Sequence, residues 1–400
     1  MIALDSIGRR FGNRLIIFYT AVFAIAALYT PQPLLPVLRS EFSVSEATAS
    51  LLITVALLPL GFAPIIYGLL LQSFSARKLM CIAVSAVMVS ELGIFFSNSF
   101  PFIVCIRFLQ GLCIPAILTS LMTYLSATSE TGSLQRVMSL YIAVTIFGGF
   151  FGRLLSGFVS TYFGWRYSFL TVFFALLISL LLLLRLKADP KAAFYRIRLR
   201  TVTDVLRVSG FLRVYLAIFC SFFVFASIMN FIPFRLTEIG GSLSEFRISA
   251  IYTGYLIGCV VGFFSLRIIN LLGGAPRAIL AGLSVYLLAT LLFVTKSTSF
   301  AFINMFVFCA GMFLVHSVCP GFINRHAQDK KGVVNGLYIS FYYAGGTLGS
   351  YLPGIIYKSF GWTVYIYFLA GMLGLAFCIS WGLSESKFTM SIQAEKEGAG

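Results

Sequence analysis

Apolar residues run along this chain in long unbroken stretches, not in the alternating or one-faced patterns of water-soluble strands and helices. Twelve stretches approach or exceed the roughly 20 residues that an α-helix needs to cross a bilayer core: 15–38, 47–71, 79–97, 101–125, 137–160, 166–186, 212–236, 247–269, 276–295, 299–322, 332–356 and 362–383. Polar residues gather in the short turns between them and in one longer basic stretch at 187–211. Many stretches carry Gly or Pro, which membrane helices tolerate better than soluble ones. The pattern predicts an all-α integral membrane protein with twelve transmembrane helices.

The second half repeats the first, 197 residues on. Gly148, Gly149, Gly152, Leu155 and Gly157, followed by Phe163-Gly164-Trp165, recur without a gap as Gly345, Gly346, Gly349, Leu352 and Gly354, followed by Phe360-Gly361-Trp362. Six spans per copy keep both copies in one orientation, a parallel duplication of the kind transporters use. The expected organisation is a six-helix half at 1–186, a basic cytoplasmic linker at 187–211, a second half at 212–383 and a cytoplasmic tail at 384–400. Gly148/Gly152 and Gly345/Gly349 have the small-xxx-small spacing that lets helices approach closely. A sliding contact between the halves is their functional counterpart.

Composition agrees. The chain is 59% hydrophobic and 10% charged, against roughly 25% charged in a soluble domain. A net charge of +16 would suggest nucleic acid in a soluble protein, but its placement points to the membrane. With both termini cytoplasmic, 21 Lys/Arg fall on the cytoplasmic side, six fall opposite (Arg39, Arg166, Arg235, Arg247, Lys296, Lys358) and two, Arg107 and Arg153, lie within spans. That bias is the positive-inside rule, and it predicts a multi-pass protein of the cell inner membrane with the lipid bilayer, not nucleic acid, as partner. The linker and its flanks hold eight of these charges. A topology-setting role is the plainer reading, and contact of Tyr195–Arg200 with the anionic leaflet is the other. Arg9, Arg10 and Arg14 precede a first span too long for a cleavable signal. All eight cysteines lie in apolar segments and read as small hydrophobes, so neither a metal nor a cofactor is expected.

Several motifs resemble the major facilitator superfamily, specifically its bacterial drug or metabolite:proton antiporters. Arg107-Phe-Leu-Gln110-Gly111 is similar to that family's RxxQG motif, and Gly68 to Lys78 to its loop between spans 2 and 3. The glycine run from Gly148 to Gly157 resembles the antiporter motif of span 5. Gln32-Pro33-Leu34-Leu35-Pro36, Phe313-x-x-His316-Ser317 and Phe341-Tyr342-Tyr343 resemble segments of bacterial efflux members. The chain departs from the pattern at four places. Gln72 stands where the loop normally has Asp and Ser75 where it has Gly, Asn270 holds the matching Asp position in the second half with Gly273 in register, and Arg153 replaces the span-5 proline. A gating latch of neutral amides, with Arg77 and Lys78 on its rim, is expected from these replacements.

Charged groups within spans are expensive and usually functional. Glu91 is the one acid inside a span, and its midpoint with Arg107 falls at residue 99, the turn between spans 3 and 4. The two are expected at similar depth, either as a structural pair or as a carboxylate that gains and loses a proton. His316, in span 10, suits a proton relay or a simple interhelical hydrogen bond. Glu91, Arg107 and His316 are therefore the proton-coupling candidates. Arg153 attracts an anionic group, pairs across the N-terminal half, or snorkels to the interface. By the resemblance, spans 1, 4, 7 and 10 line a substrate cavity, whose candidate residues are Tyr29, Gln32, Gln110, Asn230, Asn304 and Ser317, with Arg153, Tyr342 and Tyr343 beside them.

These features imply a secondary active transporter that works by alternating access, and specifically a monomeric proton-coupled exporter of small amphiphilic or anionic compounds. A proton-coupled uptake symporter, or a uniporter or exchanger for a metabolite, is the alternative within transport. A membrane enzyme is the remote one, since the chain has no HExxH, GxSxG or nucleotide loop.

Overall fold

The computed structural model describes residues 2–71, 73–129, 131–186, 199–241, 243–327 and 331–383. In chain order its helices are α1 Ile2–Tyr29, α2 Leu35–Glu41, α3 Glu46–Leu57, α4 Ala63–Leu70, α5 Ala76–Phe96, α6 Phe100–Thr128, α7 Thr131–Phe163 and α8 Trp165–Leu183. There follow α9 Leu199–Arg207, α10 Ser209–Gly240, α11 Glu245–Ala250, α12 Ile257–Leu271, α13 Ala275–Leu292, α14 Thr298–His326, α15 Lys331–Gly349 and α16 Leu352–Trp381. Among the described residues, ten helical segments are long and apolar enough to span a membrane.

The differences from twelve uniform spans have local causes. The expected span 47–71 is cut into α3 and α4 by a 3₁₀ turn, Leu58–Gly61, that contains Pro59. A proline lacks the N–H that the next helical bond would need. Span 8 also carries a 3₁₀ turn, Ile251–Leu256 between α11 and α12, here without a proline. Span 1 breaks after Tyr29 at Thr30-Pro31 and resumes as α2. Span 11 breaks at Ser350-Tyr351, and its remainder runs into span 12 as α16, which bends at Gly361. Gly361 has φ +78 and its repeat partner Gly164 has φ +94, a left-handed backbone that Gly enters without a Cβ penalty. The duplication is thus visible in the backbone, with one glycine turn closing each Phe-Gly-Trp motif.

Contacts divide the described residues into two compact units. The first draws on Met1–Val44, Leu51–Phe194 and Ser242–Ala250, the second on Ser45–Ser50, Tyr195–Gly241 and Ile251–Gly400. Inside the first, α1 packs on α7, α5 on α6 and α8, and α4 on α6. Inside the second, α10 packs on α15, α13 on α14 and α16, and α12 on α14. These are the same neighbours, one repeat later.

Glycines seat the α1–α7 and α10–α15 pairs. A Cβ on Gly148 would stand 2.8 Å from the Val22 carbonyl oxygen, and one on Gly152 2.5 Å from the Ala26 Cα. Gly345 and Gly349 meet the carbonyls of Phe219 and Phe223 in the same way. Val22 and Phe219, like Ala26 and Phe223, are 197 residues apart. These four glycines therefore do not supply the sliding surface between halves expected of them, because each faces a helix of its own unit. Gly346 lies against the Phe222 ring, Gly157 against Ser249 of α11, and Gly354 against Phe231 and Ala47.

The linker residues 187–198, Gln72 and the tail 384–400 lie outside the described residues.

Candidate functional site

A chain of buried polar groups crosses the first unit. It begins with a helix break. Ala27, near the end of α1, would normally receive the N–H of residue 31, which is a proline. Arg107 of α6 supplies the missing donor. Its Nη1 donates to the Ala27 carbonyl at 2.9 Å, its Nη2 to the Leu28 carbonyl and its Nε to the Leu52 carbonyl of α3 at 2.7 Å. Nη1 also donates to Oε1 of Gln110, one turn along α6. Gln110 passes the chain on, because its Nε2 donates to Oε1 of Glu91 on α5 at 3.0 Å. All three side chains are 0% exposed. Gly111 completes the motif, since a Cβ there would stand 2.5 Å from the Ala56 carbonyl oxygen.

Glu91 and Arg107 are linked through Gln110, which stands between them and bonds to both. The other carboxylate oxygen, Oε2 of Glu91, is buried and has no partner among the described residues. A buried, half-satisfied carboxylate is costly as a mere brace.

Arg153 neither snorkels nor faces open space. It is 1% exposed, donates from Nε to Oε1 of Gln32 at 2.6 Å and from Nη1 to the Gly149 carbonyl at 2.7 Å, and lies 3.9 Å over the Tyr29 ring. Ser156, one turn on, donates to the Thr30 carbonyl at 2.9 Å. The candidates Tyr29, Gln32 and Arg153 thus gather around the break in span 1.

The second unit treats its broken helix with a different residue. Asn230 of α10 donates to the Ser350 carbonyl at 3.2 Å, where α15 ends. Asn304 does not join it. Its Nδ2 donates to the Ala289 carbonyl of α13 at 2.8 Å, which ties two neighbouring helices together. Ser317 faces α12 instead, with its Oγ 3.6 Å from where a Cβ on Gly262 would stand.

His316, Tyr342 and Tyr343 do come together. The Tyr338 hydroxyl is 2.9 Å from His316 Nδ1. The His316 and Tyr342 ring centroids are 4.7 Å apart, Tyr342 and Phe222 stack at 3.6 Å, and Tyr343 meets the Tyr342 ring edge-on at 5.1 Å. Sequence reasoning missed Tyr338, Phe222 and Ser156. The signal for Tyr338 was available, because its midpoint with His316 is residue 327, the turn after α14.

The expected amide latch rests on Gln72, which lies outside the described residues, so only its neighbours are placed. Arg77 itself bonds, from Nη2 to the Leu184 carbonyl just past α8 at 2.6 Å, where a helix end leaves carbonyls unpaired. Lys78 is exposed, and its backbone N–H is capped by Ser75 Oγ at 3.3 Å. Gly68 is buried in α4, and Asn270 is exposed, its carbonyl accepting from the N–H of Gly273 at 3.3 Å in a turn where Gly273 has φ +74.

Two like helical units, each with buried polar groups at a broken span, define a multi-pass membrane transporter. The chain belongs to the Major Facilitator Superfamily, whose sequence profile matches residues 17–313 and 214–399. It is 27% identical over 377 residues to the uncharacterized MFS-type transporter YybF of Bacillus subtilis (strain 168), covering 92% of this chain and 93% of that one. It is 27% identical over 375 residues to the inner membrane transport protein YnfM of Escherichia coli (strain K12), covering 91% and 88%. Among solved structures, a D-xylose-proton symporter superposes with a TM-score of 0.78 at 15% identity, covering 94% of this chain and 98% of that one. This chain is accordingly a transporter and not an enzyme.

Proposed function

We propose that the protein exports small amphiphilic organic compounds, neutral or anionic, in exchange for protons, by alternating access in a cell inner membrane with both termini cytoplasmic. Glu91 is the proton carrier of this reading. The observation that carries it is the half-satisfied carboxylate: Oε1 is tied through Gln110 to Arg107, while Oε2 is buried without a partner. A proton arriving at Glu91 weakens its hold on the Gln110 amide, and through Gln110 and Arg107 that change reaches the carbonyls of Ala27 and Leu28 at the break in span 1. Among the described residues of the first unit, two buried arginines against one buried acid favour neutral or anionic cargo over cations. The basic bias of one side supports the orientation, and the glycine run of span 5 supports exchange over symport.

The test is accumulation of a panel of neutral and anionic aromatic dyes in cells that make the protein. Export predicts lower accumulation than in cells making Glu91→Gln, and loss of the difference when the proton gradient is collapsed. Higher accumulation in the wild-type cells overturns export in favour of uptake. Equal accumulation for every dye contradicts transport of this class.

A further inference from the structure

In the second unit, one polar group is set rigidly into an aromatic wall. His316 lies on the side of α14 turned away from lipid. Val307, 41% exposed, is nine residues earlier, which at about 100° per residue is half a turn around the helix. His316 is nevertheless half-buried and not sealed, so its remaining surface opens on the inner side of its helix. Its ring is fixed on two flanks. Tyr338 holds Nδ1 at 2.9 Å, and Tyr342 lies against one face with centroids 4.7 Å apart. Behind Tyr342 the stack continues through Phe222 at 3.6 Å and Phe225 at 6.0 Å. The second ring nitrogen, Nε2, has no protein partner among the described residues.

Resting on the transport reading above, we infer that His316 Nε2 and the Tyr342–Phe222 stack form a subsite for a flat, uncharged aromatic compound bearing one hydroxyl, such as a phenol or naphthol. Three observations narrow the class. Tyr342 and Tyr343 are half-buried, and such rings suit a planar aromatic partner, because aromatic pairs favour offset and edge-to-face contacts. A cation is disfavoured: Glu238 is the one carboxylate on α10, α14 and α15, and it is engaged by Arg235 at 3.1 Å and by the Tyr357 hydroxyl. A hydroxyl fits either form of the histidine. The Tyr338 hydroxyl lies within reach of both His316 Nδ1 and the His316 carbonyl, at 2.9 and 3.5 Å. If it donates to Nδ1, then Nε2 carries the proton and donates. If it donates to the carbonyl, Nδ1 carries the proton and Nε2 accepts. A phenol both donates and accepts, so it pairs with each. Because Tyr338 and Tyr342 already hold the ring, little ordering is lost on binding.

The test is direct binding to the purified protein in detergent, with 2-naphthol as the probe and naphthalene and N-methylquinolinium as comparisons. Wild type binds 2-naphthol about fivefold more tightly than naphthalene, the effect of one hydrogen bond, and binds the cation weakly. His316→Phe removes that preference by weakening 2-naphthol alone, His316→Gln restores much of it, and Tyr342→Leu weakens both neutral ligands. The subsite is refuted if His316→Phe keeps the preference, if the cation binds as well as the naphthol, or if neither neutral probe binds wild type. Binding of this pattern in a protein that moves no compound across a membrane would sink the transport reading and leave the subsite standing. Transport without any dependence of naphthol binding on His316 would do the reverse.

Discussion

Arg107 donates to the carbonyl of Ala27, the carbonyl that Pro31 leaves without its helical partner, across 2.9 Å and 80 positions of sequence. The same guanidinium holds Leu28 and Leu52. One planar fork with several fixed donors therefore joins α1, α3 and α6. Arg107→Ala should lower stability by about 3 kcal/mol or more, because three buried carbonyls lose a charged donor together. Arg107→Lys should rescue little of it, since a point charge on a flexible stem cannot reach all three. Melting of the purified variants in detergent, followed by circular dichroism, checks both. A lysine variant as stable as wild type would show that charge alone matters at this position.

Asn230 plays the equivalent structural part in the second unit through the Ser350 carbonyl. Asn230→Ala and Asn230→Asp both remove the donor. Each should cost about 1–3 kcal/mol, with the aspartate the worse of the two because it also buries an acceptor-only group among carbonyls. A melting point for Asn230→Asp at or above wild type would contradict the assignment.

Gly164 and Gly361 need their glycine for backbone reasons alone. A Cβ at either meets nothing within 4 Å, yet φ is +94 and +78. Alanine at each should cost about 1–3 kcal/mol, because ψ is 155 and 176, a region that only glycine populates readily. Gly152 and Gly349 need theirs for space, so leucine there should block assembly of α1 on α7 and of α10 on α15. Leucine at Gly371, where a Cβ also meets nothing within 4 Å, should be tolerated. Comparing the yields of folded protein in detergent separates the three outcomes, and a well-folded Gly152→Leu variant would sink the packing account.

Much of the fold was legible because the repeat is long and in register. Positions 197 residues apart carry the same glycines, and they meet the same helix in each unit. The spans themselves follow from runs of apolar residues that only a bilayer accommodates. The breaks were less legible. Pro31 and Pro59 stand in the sequence, but proline in a membrane helix is compatible with a kink, a 3₁₀ turn or a rescued helix. Which one forms depends on donors such as Arg107 and Ser156 that come from other helices. The break at Ser350-Tyr351 has its proline just after it, Pro353 in the first turn of α16, where proline also suits an ordinary helix start. In the candidate site, the neighbourhood of Glu91 and Arg107 followed from their symmetry about residue 99. The interposed Gln110 did not, because its amide reaches back one helical turn to Arg107 and sideways to Glu91 at once. Arg153 was undecidable from sequence, since its partner Gln32 lies 121 positions away.

Gln110 should matter in a way distinct from Arg107. Gln110→Glu replaces the amide donor with a second carboxylate beside Glu91, so it should abolish any proton-linked transport and destabilise the protein. Gln110→Leu should disconnect Glu91 from Arg107 while keeping volume. The expected result is a folded protein whose transport no longer responds to an imposed pH gradient. A Gln110→Leu variant with wild-type coupling would remove the relay from the account.

The most direct test of Glu91 as the proton carrier is proton movement itself. Purified protein in liposomes with a pH-sensitive dye inside would be challenged with a compound that binds it, wild type against Glu91→Gln. The account predicts a compound-driven pH change in wild type and none in Glu91→Gln, with binding of the compound retained in both. An equal pH change in Glu91→Gln would contradict it.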